Sequence, residues 1–94
     1  MILRIWTTGI DESRADEYER FAATRSLPMF AAQPGFIDVT LARSPGRRMV
    51  LTRWRDEASA DALAASPSYR ETVAAIEAAG FLHPPQSVEL WHLP

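Results

Sequence analysis

Apolar and polar positions alternate in four stretches of the chain and recur at helical spacing between them. In 2–7, ILRIWT, Leu3 and Ile5 fall on one face of an extended segment and Ile2, Arg4 and Trp6 on the other. Both faces carry apolar groups, which predicts a strand in a sheet covered on both sides. Gly9 is expected to break it. Asp11 or Ser13 can cap a helix, with SRAD at 13–16 as a weak capping box. Tyr18, Phe21, Ala22 and Arg25 then fall at i, i+3, i+4 and i+7, one stripe of that helix. Pro28 is expected to kink it or to start a new turn. QPGF at 33–36 ends it, with Pro34 and Gly35 at the centre of a type II turn.

Residues 36–43, FIDVTLAR, alternate again, Ile37, Val39 and Leu41 against Phe36, Asp38 and Thr40. SPGR at 44–47 follows. A type II turn suits a tight two-residue hairpin poorly, so a longer loop is expected. In the third strand, 48–55, Val50, Thr52 and Trp54 share one face, and Met49, Leu51, Arg53 and Arg55 the other. Asp56 can cap a short Ala-rich helix over about 57–65. Ser66 and Pro67 restart it, Tyr69, Val73 and Ile76 line one face, and Gly80 stops it. FLHPPQ reads as a loop, and 87–93, SVELWHL, as the closing strand.

The order is β-α-β-β-α-β, an α+β, ferredoxin-like split βαβ. It predicts a single domain over 1–94, with a four-stranded antiparallel sheet and two helices on one face. The bare face of such a sheet needs a cover, and a second copy of the same sheet supplies one, so a homodimer is expected.

Composition removes several classes of function. There is no cysteine, which excludes disulfides, thiolate nucleophiles and Cys-ligated metals. A net charge of −2 argues against a nucleic-acid partner. The third strand also lacks the Gly/aromatic pattern of an RNA-recognition module, although Trp6 and Trp54 lie on the strands such modules use. No apolar run spans a bilayer, and no charged leader precedes the first strand, so a cytoplasmic protein with no membrane association is expected. The only histidines, His83 and His92, have no partner at metal-ligand spacing, so no metal is expected. There is no nucleophile elbow, and the four glycines are too scattered for a phosphate loop.

What remains is a set of aromatic residues. Strand-borne Trp6 and Trp54, with helix-borne Tyr18 and Tyr69 above them, could line a pocket between sheet and helices, or could be core. Arg25, on the apolar stripe of the first helix, either awaits an anion or snorkels to water.

Two stretches, LPMFAAQPGF at 27–36 and LTRWRDEASADALAASPSY at 51–69, resemble, with the order of elements, the antibiotic biosynthesis monooxygenase-like family of dimeric α/β barrels. The resemblance covers about 2–93. It implies a homodimer with sheets face to face and a ligand cleft between sheet and helices. It also implies, for some members, oxidation of phenolic or quinol-like substrates by O₂ with no cofactor. Other members bind and degrade haem. Trp54 matches a strand-three tryptophan that lines the cleft in relatives. Members with demonstrated chemistry often carry a cleft asparagine, and haem-degrading ones a helix-two histidine. This chain has no asparagine, and its second helix, with Leu63 and Ser68, has no histidine.

The expected activity is therefore cofactor-independent monooxygenation of a small aromatic or polyketide-type molecule. The alternative is a non-catalytic, ligand-binding or stress-associated dimer of the same fold. In the first case Trp6, Tyr18, Phe21, Phe30 and Trp54 would bind substrate. Arg25 would stabilise its anion, and Tyr69 or His83 would assist proton transfer.

Overall fold

The structure is a computed structural model that describes all residues, Met1–Pro94. Strands β1 (Ile2–Ile10), β2 (Phe36–Ser44), β3 (Arg47–Trp54) and β4 (Leu82–His92) form one antiparallel sheet in the order β2-β3-β1-β4. Between β1 and β2 runs one helical stretch: a 3₁₀ turn (Glu12–Arg14), α1 (Ala15–Phe21), a π-helical turn (Ala22–Ser26) and α2 (Leu27–Ala31). Between β3 and β4 lie α3 (Glu57–Ala65) and α4 (Pro67–Ala79). This is the ferredoxin-like arrangement, with the helices on one face of the sheet.

The caps follow sequence logic. Asp11 accepts from the Ser13 amide, Asp56 from the Ser59 amide and Ser66 from the Tyr69 amide. Gly80 ends α4 at φ 80°. The helix-facing row of β1 is Ile2, Arg4, Trp6, Thr8 and Ile10, and that of β3 is Arg48, Val50, Thr52 and Trp54. Two apolar clusters sit beneath the helices. One gathers Ile2, Met29, Phe30, Val50, Trp54 and Leu63, the other Ile10, Tyr18, Ala22, Ile76 and Phe81.

Four local expectations change. Gly9 does not end β1. The strand continues to Ile10, and a Cβ at Gly9 would stand 2.7 Å from the His83 carbonyl oxygen, so glycine lets β4 approach. FLHPPQ is not a loop, because β4 begins at Leu82. Pairing jumps from Gly9–His83 to Thr7–Ser87, so Pro84, Pro85 and Gln86 bulge opposite Thr8. Proline is tolerated there because β4 is an edge strand.

The 44–47 connection is tight after all: Ser44 pairs with Arg47 across Pro45 and Gly46, the latter at φ 74°. Tertiary bonds hold this awkward hairpin. The Gly46 amide donates to Glu12 Oε1 at 2.9 Å, and its carbonyl accepts from the Ile10 amide at 3.0 Å. Finally, a bulge between Phe36 and Asp38 brings Phe36 to the helix side together with Val39 and Leu41, leaving Asp38 on the other face to pair with Arg53.

Candidate functional site

The first helical stretch positions one wall of the site. Pro28 has no amide hydrogen and would clash with the Thr24 carbonyl in a regular α-helix. The chain relieves this with a π turn, in which the Leu27 amide donates to the Ala22 carbonyl. A π turn spends about one residue more than an α turn. Ser26 therefore takes the angular place Arg25 would have held, and Tyr18, Ala22, Ser26, Met29 and Phe30 face inward. Arg25 turns out to solvent, its guanidinium 5.4 Å over the Phe21 ring.

Between these residues, the sheet and α4 lies a cavity of about 140 Å³. Its sheet side carries Arg4, Trp6, Val50 and Val88, and its α4 side Tyr69, Thr72, Val73 and Ile76. Of the side chains expected in the cleft, Trp6, Tyr18, Phe30 and Tyr69 line it. Four others lie outside. Arg25 is exposed. Phe21 packs edge-on against Phe81. His83 is exposed on β4. Trp54 is 0% exposed, donates from Nε1 to Thr52 Oγ1 at 2.8 Å, and stacks edge-on with Phe36. It is pure core.

The polar end of the cavity belongs to a residue that the sequence placed beside Trp6 without marking it. Arg4 is 7% exposed, and its Nη2 donates to the Tyr69 hydroxyl oxygen at 2.8 Å. The guanidinium lies 5.4 Å from the Tyr69 ring centroid and forms no ion pair. The available signal was an arginine flanked by helix-facing Ile2 and Trp6. Such a position buries a cation, and a buried cation needs a partner.

Tyr18, at the other end, is held neutral: burial pushes its phenol up to about 12. Glu77 is the wall's only carboxylate and stands at the exposed mouth. No helix of the chain is long and apolar enough to cross a membrane. No group of three or more His, Cys, Asp or Glu side chains comes close enough together to hold a metal ion.

The family model for antibiotic biosynthesis monooxygenases matches residues 1–75. The chain belongs to this family. No curated protein matches it. Among solved structures, a mutant of SnoaB, a cofactor-independent oxygenase from Streptomyces nogalater, superposes with a TM-score of 0.80 at 22% identity, covering 98% of this chain and 91% of that one. The ActVA-Orf6 monooxygenase of Streptomyces coelicolor, solved with nanaomycin D, gives a TM-score of 0.84 at 16% identity, covering 99% and 87%. A Deinococcus radiodurans protein described as a family monooxygenase gives 0.83 at 10% identity, covering 100% and 93%. At such identities these neighbours share the fold. Family membership supports a monooxygenase-like function.

Proposed function

We propose that the chain is a cofactor-independent monooxygenase acting on a small aromatic molecule held between sheet and helices. The observation that carries this reading is the cavity's polarity: an apolar chamber walled by Trp6, Phe30 and Val50 with the Arg4–Tyr69 pair at one end. A substrate anion with its charge at that end is stabilised in a site of low dielectric, where oriented donors act most strongly. Its ring supplies electrons to O₂. For an activated ring CH₂, one oxygen atom becomes the new carbonyl oxygen, and the other leaves as water with the two hydrogens. Tyr69 accepts from Arg4, so its own proton is free to move to an oxygen of the substrate or of the reduced dioxygen. Arg4 takes the role that Arg25 held in the sequence reading.

Two copies pack sheet to sheet in this proposal. The support is the bare face, where Leu3, Ile5, Met49 and Leu51 lie uncovered by helices and Trp91 is 56% exposed.

A second reading, ligand binding without turnover, is favoured by the absence of a buried base: Glu77 is open to solvent. The deciding measurement is O₂ consumption under air with one-ring quinol-type compounds. Turnover is expected, and Tyr69→Phe should lower it about 100-fold. Saturable tryptophan quenching by the same compounds with no O₂ uptake would establish the binder instead.

A further inference from the structure

The geometry points to a one-ring aromatic carboxylate as the ligand of this cleft, with its carboxylate on Arg4. The inference rests on reading the cavity as the ligand site and narrows the substrate class. Three observations carry it.

First, Arg4 is more than nine-tenths buried and has no carboxylate partner, unlike Arg48, the other buried arginine of the chain. An unpaired guanidinium in an apolar wall is unfavourable until an anion joins it.

Second, Arg4 is free to receive one. Nη2 is engaged by Tyr69, while Nε and Nη1 of this cavity-lining side chain have no protein partner and are not fully enclosed; the only fully enclosed, unbonded side-chain atom is Arg48 Nε. Two unengaged donors of one guanidinium fit the two oxygens of a carboxylate, a planar bidentate match that no neutral oxygen offers. The Tyr69 hydroxyl, 2.8 Å from Nη2, is placed to meet a hydroxyl next to that carboxylate on the ring.

Third, the space is small. An apolar cavity of roughly 150 Å³ accepts a benzene, and this one measures about 140 Å³. One ring fits against Trp6 and Phe30, whereas a fused three-ring system would have to project through the open mouth beside Glu77.

Calorimetric titration of the wild-type protein with 2-hydroxybenzoate, 2-hydroxybenzamide and 9-anthracenecarboxylate tests this. The one-ring acid should bind, and the neutral amide and the three-ring acid should each be at least about tenfold weaker. Arg4→Met should bring the acid-to-amide ratio to about one, and Arg4→Lys, which keeps the charge but loses the planar fork, should fall between. Arg48→Met should leave the ratio unchanged. Equal affinity for acid and amide, tighter binding of the three-ring acid, or no binding of any probe overturns the inference. The wild-type comparison requires no variant to fold. Because heat of binding is read without turnover, absent O₂ uptake bears only on the oxygenase reading, and lost charge discrimination bears only on this one.

Discussion

Two buried arginines lie on the helix-facing side of the sheet, at 7% and 5% exposure, and they live in opposite circumstances. Arg48 sits at the hairpin end. It donates to Glu12 at 2.7 and 3.2 Å, faces Glu19 at 3.5 Å, and covers the Tyr18 ring. It clamps the start of the first helical stretch onto β3. Arg4, four register positions along the sheet toward its opposite end, has a tyrosine and open space. The same residue type at similar burial is a strut in one place and a vacant receptor in the other. Partnering, not burial, separates them.

Several substitutions test how far that separation goes. The largest effect belongs to neither arginine: Trp54→Ala should cost about 3–5 kcal/mol in chemical denaturation, as expected for deleting a sealed aromatic. Trp54→Phe should leave ligand affinity unchanged, since Trp54 touches no part of the cavity; a weakened affinity would return it to the site. Arg48→Met should destabilise by about 2 kcal/mol, less than a fully buried pair because Glu12 and Glu19 stay half-exposed and solvated.

Arg4→Met should change stability by about 0–1 kcal/mol, in either direction, because it replaces an unpaired cation by an apolar side chain of similar length. A loss as large as that of Arg48→Met would erase the contrast. Trp91→Glu on the bare sheet face should leave the monomer fold intact and, in sedimentation analysis, convert dimer to monomer; a wild-type protein that is already monomeric would remove that interface.

Acid and alkali separate the two regions further. Hydrogen bonds from Arg48 and from the Gly46 amide lower the Glu12 carboxyl below its ordinary 4.5. The stability it contributes is present above pH 4.5 and is lost as pH falls through the lowered value. Arg48→Met should flatten that acid limb, and Arg4→Met should not. Tyr18 works in the other direction. Its phenol rises from 10.0 to about 12, so its contribution is complete below pH 10 and disappears as pH climbs toward 12. Tyr18→Phe should remove this alkaline loss in a pH series of thermal melts.

Strand and helix order, the caps at Asp56 and Ser66, the stop at Gly80 and the helix-facing row Val50–Thr52–Trp54 were all legible along the chain. Period and cap chemistry are local, and here nothing tertiary opposes them. The hairpin at 44–47 was not legible, because Glu12, far away in sequence, holds it shut. Nor was the start of β4, where two prolines read as loop until an edge position makes them harmless. Family membership was readable from 27–36 and 51–69 taken together with topology.

The cleft divides along the same line. That aromatics from β1, α1, α2 and α4 meet under the helices follows from periodicity, and Trp6, Tyr18, Phe30 and Tyr69 do meet there. Which arginine joins them was decided by geometry. A π turn forced by Pro28 adds about one residue to the first helical stretch, swings Arg25 into solvent and leaves Arg4 as the only cation on the cavity wall. A helical wheel assumes a constant turn angle and cannot contain that change. Sequence alone therefore determined the fold and the kind of surface that lines the site. Tertiary structure decided the charge at its end, because burial without a partner is a property of three-dimensional neighbours, not of order along the chain.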